Sequence, residues 1–152
     1  MTKVLLSIHV LAVILAVGPI ALGASMFPAF ARRAVGDGGV DLGSLRTLHR
    51  VCRVYAVVGI AVPMFGLPLA DLMGVLGSVW LIASLVLTGV AAAVLVFVVL
   101  PRQQRVLAQL GGGESLDERV FARLAMSTGI FNLLWAVVTV LMIVRPGSST
   151  GV

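Results

Sequence analysis

Two histidines, one cysteine and six methionines are the soft or borderline metal ligands of this 152-residue chain. His9 is the one whose setting asks for an explanation. It lies in "VLLSIHVLAVILAVGPIALGASMFPAFA", 28 residues from Val4 to Ala31 without a charge, and an imidazole in such surroundings is costly unless it is hydrogen-bonded or ligated. The plainer chemistry is a hydrogen bond to a hydroxyl on a neighbouring helix, Ser84 or Thr139, worth about 1 kcal/mol. The sharper one is ligation. His with Met is an axial pair for haem and a soft set for copper, and Met64 is the expected partner at matching depth, with Met73 and Met142 toward the same side. His49 belongs to the far end of its helix, so a second imidazole at that depth would have to be His9 of another copy across a twofold axis. Cys52 is alone, which excludes an intramolecular disulfide and a thiolate zinc site, and it reads as a small apolar interface residue.

The remaining polar groups fall into stripes. His9, Ala12, Ala16, Pro19 and Gly23 are spaced 3 and 4 apart and share a face of small residues, which membrane helices turn toward each other. Trp80, Ser84 and Thr88 step by four, and Thr128, Asn132, Trp135 and Thr139 step by four, three and four, so Ser84, Thr88, Asn132 and Thr139 are expected to form a polar interior. Catalytic constellations are missing. Asp71 is the only carboxylate beside these runs, so paired-carboxylate chemistry has no second member. Neither a Ser-His-Asp spacing nor a phosphate loop is present.

The elements that must position these groups follow from composition. Hydrophobic residues are 60% of the chain and charged ones 11%, against roughly half and a quarter in soluble domains. Four uncharged runs, Val4 to Ala31, Val54 to Ala70, Leu72 to Pro101 and Leu124 to Val144, each approach or exceed the roughly 20 residues needed to cross a hydrocarbon core. The expected fold is all-α, a single four-transmembrane-helix bundle over residues 1–146 with a flexible tail at 147–152. Pro19 is expected to kink or loosen the first helix.

Charge placement gives an orientation. Arg32, Arg33, Arg46, Arg50, Arg53, Arg102, Arg105, Arg119 and Arg123 flank the first and third connections, and the second has none of them. The positive-inside rule then predicts both termini outside and the basic connections in the cytoplasm. The net charge of +5 is a membrane signal here, with no nucleic-acid motif beside it. Arg46, Arg50, Arg53, Arg119 and Arg123 are expected to meet anionic lipid headgroups, with Asp37, Asp41, Glu114, Asp117 and Glu118 as the only nearby counter-charges. His49, among three arginines, reads as a solvated interfacial residue. Ser44 and Ser115, with Glu118 in capping-box spacing, are expected to start the second and fourth helices. The 71 residues between these serines suggest two repeated helical hairpins.

The opening "HVLAVILAVGP", followed by a basic pair, resembles the uncharacterised bacterial four-helix predicted integral membrane proteins over the whole chain. Residues 4 to 33 are also similar to the copper-resistance CopD-like membrane domain and the HemJ-type protoporphyrinogen oxidase. That second resemblance implies a haem b or copper ligand at His9. The leading expectation is a small non-enzymatic protein of the bacterial cytoplasmic membrane, without a cofactor, acting as an accessory or assembly component of a larger complex or as a homo-oligomer. The alternatives are a haem- or copper-binding redox protein using His9 and Met64, and an oligomeric small-molecule carrier.

Overall fold

The computed structural model describes residues 2–36 and 42–147. Asp37, Asp41 and the tail beyond Gly147 lie outside the described residues. Helix α1 spans Thr2–Gly36, α2 Leu42–Leu72, α3 Val79–Val94, α4 Leu100–Gly111 and α5 Glu118–Val144, with a π-helical turn at Leu95–Val99 joining α3 to α4. Four rods result, because residues 79–111 run as one. Each is long and apolar enough to cross a membrane, 27 to 33 residues, or about 40 to 50 Å at 1.5 Å per residue. Each therefore exceeds a hydrocarbon core of about 30 Å. Without water to bond free backbone groups, uncharged runs of this length are held to the helix.

Pro101 determines the shape of the third rod. Its nitrogen carries no proton, and its ring collides with the carbonyl four residues back in a regular helix. The turn before it is widened, so that the Leu100 N–H reaches the Leu95 carbonyl, and Pro101 enters the first turn of α4, where its missing proton costs nothing. The helix thus continues to Gly111, and residues 102–111 are not part of a loop. By contrast α1 runs unbroken past Pro19 and Pro28, and α2 past Pro63 and Pro68.

The ends are set by local chemistry that differs from the serine caps. α2 has begun by Leu42, ahead of Ser44. The N-cap of α5 is Asp117, whose side chain accepts from the Arg119 N–H at 3.2 Å; a carboxylate also suits the positive end of the helix. Asp117→Ala should therefore cost about 1 kcal/mol of stability, read as a lower unfolding midpoint in mixed micelles. Gly74 and Gly113, at φ +67° and +75°, close α2 and α4. In each case the glycine and its successor bond back to the last turn: Gly74 to Asp71 and Val75 to Ala70, Gly113 to Leu110 and Glu114 to Gln109.

α1 packs along α2 and α5, α3 along α5, and α4 against α2. The main core lies toward the end that carries the basic residues. Ile20, Ala24, Phe27 and Ala31 of α1 meet Leu45 and Cys52 of α2, Val99 and Val106 of the third rod, and Leu124 and Phe131 of α5. Large apolar side chains such as Leu22, Ile60, Phe97 and Ile143 are exposed on all four rods, the pattern of a surface facing hydrocarbon.

Candidate functional site

Two glycines fix the register of the antiparallel pair α1 and α2. A Cβ on Gly66 would stand 2.9 Å from Cε1 of His9, and one on Gly23 would stand 3.2 Å from Sγ of Cys52. Each contact is 14 residues from the other on both helices. The His9 ring lies on the backbone of Gly66, and its Nδ1 is buried without a hydrogen-bond partner.

The hydroxyls expected to serve it bond elsewhere. Ser84 donates to the Trp80 carbonyl at 2.8 Å, Thr88 to the Ser84 carbonyl at 2.7 Å and Thr139 to the Trp135 carbonyl at 2.8 Å, each within its own helix. Ser84 is buried and Thr88 half-buried, as an interior stripe requires, but Thr139 is exposed. Met64 is 65% exposed. It stands two residues from Gly66, about 200° around the helix, and so points away from His9. Among the described residues no group of three or more His, Cys, Asp or Glu could hold a metal ion. Among the described residues, one chain brings neither Met64 nor His49 onto His9, so the expected pair does not make a haem or copper site. At the same end the Arg145 guanidinium lies 5.6 Å from the Trp80 ring centroid, a cation–π contact.

Midway along the bundle Asn132 donates from Nδ2 to Ser25 Oγ at 2.9 Å, joining α5 to α1. The amide is therefore turned toward protein, as its polarity demands. Asn132 Oδ1 and the hydroxyl of Thr128, one turn earlier, are buried without a partner.

At the basic end a buried polar chain crosses three rods. His49 Nδ1 donates to Gln103 Oε1 at 3.0 Å, Gln103 Nε2 donates to Cys52 Sγ at 3.8 Å, and the Cys52 thiol donates to the Ile20 carbonyl at 3.9 Å. Gln103 and Cys52 are both 0% exposed. His49 is half-buried within this chain, which corrects its reading as a solvated interfacial residue: the glutamine on α4 draws it inward. Gln103 lies beyond Pro101, where the uncharged run of the third rod ends. Its signal was the spacing of Gln103, Val106 and Leu110, one helical face continued past the proline.

Beside this chain Arg102 reaches from α4 to α5, donating from Nη1 to the Ser127 hydroxyl and, at 3.1 Å, to the Arg123 carbonyl. Arg46, Arg50, Arg53, Arg119 and Arg123 are exposed. Arg32 pairs with Glu118 at 3.6 Å between exposed side chains, a pair worth at most about 1 kcal/mol. Compared with known proteins, the chain matches no family model, no curated protein and no solved structure.

Proposed function

We propose that the chain is a multi-pass protein of the bacterial cytoplasmic membrane, basic end inside and termini outside, that works by docking another membrane-spanning helix within a larger assembly. Its partner is a helix of another membrane protein or of a second copy, and it does no chemistry of its own. Gly129 carries this reading. A Cβ added there, or at Gly18, would meet nothing within 4 Å, so the chain's own packing has no use for a glycine at either position. On α5, Ala125, Gly129, Asn132 and Ala136 follow at steps of four, three and four, and all but the half-buried Asn132 are exposed. On α1, Gly18, Ser25 and Ala29 are exposed beside them, and the Ser25–Asn132 bond joins the two stripes. Small residues with a hydroxyl and an amide among them are what lets a further helix approach closely and bond in lipid.

Gly129→Leu tests this. Having open space, the leucine should leave stability within about 0.5 kcal/mol of the parent. The same side chain should lower cross-linking to neighbouring membrane helices, in native membranes or between copies in liposomes, by about tenfold, the loss of one close helix contact. A parent chain that stays monomeric and cross-links to nothing would end the proposal.

A further inference from the structure

The arginines of the basic end are not equivalent. Val106 and Leu110 of α4 share the buried core with Phe121 and Leu124 of α5, and the exposed arginines of both helices lie at the rim of that packing. Arg102 bridges α4 to α5 through its bonds to Ser127 and the Arg123 carbonyl. Those bonds use Nη1 alone, leaving the Nε and Nη2 protons of a held guanidinium free. Arg105 lies one turn further along α4, and Arg119, Arg123 and Ser127 share one face of α5 at four-residue steps. Of the carboxylates in the α4–α5 connection, Asp117 caps α5 and Glu118 pairs with Arg32, which leaves Glu114, exposed to solvent, against the four arginines.

Arg102 follows the apolar stretch of the third rod, and Arg123 immediately precedes the apolar stretch of α5. Both therefore lie where a lipid-spanning rod leaves hydrocarbon, the level of lipid phosphates. Exposed Ile130 and Phe97 continue the same rods toward the hydrocarbon, where acyl chains would lie.

We propose that the Arg102 bridge between α4 and α5 is a specific site for the phosphate of an anionic phospholipid, with Arg102 as its fixed cation and Arg105, Arg119 and Arg123 on the same two helices. A planar guanidinium can hold Ser127 with one nitrogen and offer a phosphate two parallel N–H groups with the others, a fork that an ammonium lacks. The arginines of α2 are a more diffuse surface and bind lipid without preference. This inference does not depend on helix docking, and a chain that proved monomeric would leave it intact.

The test is native mass spectrometry of the purified full chain in detergent, titrated with phosphatidylglycerol, phosphatidylcholine or inorganic phosphate. Arg102→Gln with Arg123→Gln should weaken phosphatidylglycerol binding about tenfold or more, two charges at about 1 kcal/mol each. Arg50→Gln with Arg53→Gln on α2 should change it less than about twofold. Arg102→Lys keeps the charge and spares the fold, and should weaken binding about threefold through loss of the planar fork. Equal losses from the two pairs, or no effect of Arg102→Lys, would overturn the site. Inorganic phosphate displacing the lipid at millimolar concentration would overturn the lipid assignment in favour of free phosphate.

Discussion

Gly23→Leu should destabilise the bundle by about 3 kcal/mol, the upper end of the cost of forcing extra carbons into a packed interior. The first added carbon already stands 3.2 Å from Cys52 Sγ and 3.6 Å from the Leu48 carbonyl. The latter is an ordinary van der Waals contact, but it is with backbone, so anything beyond the first carbon can be admitted on that side only if α1 and α2 separate. Three further carbons have no space between the helices at that level. Separation would also pull Cys52 from the Ile20 carbonyl, undoing one end of the buried chain to Gln103. Gly18→Leu is the control: five residues earlier on the same helix it meets open space and should leave the unfolding midpoint within about 0.5 kcal/mol of the parent. Equal midpoints for both variants, measured by reversible unfolding in mixed micelles, would show that the α1–α2 contact at Gly23 is not tight.

This contrast between two glycines marks the limit of what could be read from the chain. The four rods were legible because charge is excluded from hydrocarbon, and an uncharged run of 20 or more residues has few other uses. The inward face of α1 was legible in part. Ala16 and Gly23 are buried as the small-residue spacing required, but the buried face continues through Ile20, Ala24, Phe27 and Ala31, so bulk as well as smallness points inward.

Hydroxyls misled. Thr139 satisfies itself on the Trp135 carbonyl of its own helix and can face lipid at little cost, so a threonine does not report an interior. An amide has more groups than its own helix can absorb, and Asn132 duly turns to α1. Matching depth alone does not bring Met64, Ser84 or Thr139 onto His9. Depth is fixed by residue count, but facing is fixed by rotation about the helix, and this is where Met64 turns away. Pro101 misled in the opposite direction. One π-helical turn accommodates the ring, and α4, with Gln103, follows from it.

Gln103→Leu should cost about 2 kcal/mol, within the range for leaving a buried polar partner unmade. Leucine fills a similar volume, so the loss reports hydrogen bonding more than a cavity. It strands the Nδ1 proton of His49 and removes the amide donor to Cys52. The damage should be local. The network ties α4 to α2, and hydrogen exchange in residues 100–111 should accelerate more than in α3 or α5.

His49→Leu alone should lose a similar amount by stranding the amide carbonyl. The double variant, with neither group left unpaired, should fall short of the sum by about 1 kcal/mol or more, the coupling expected of a direct buried contact. Additive losses would mean that His49 and Gln103 stabilise the bundle separately, each through its own packing. A leucine at 103 that raised the midpoint would go further, because the polar chain would then be a cost that the bundle bears for some reason other than stability.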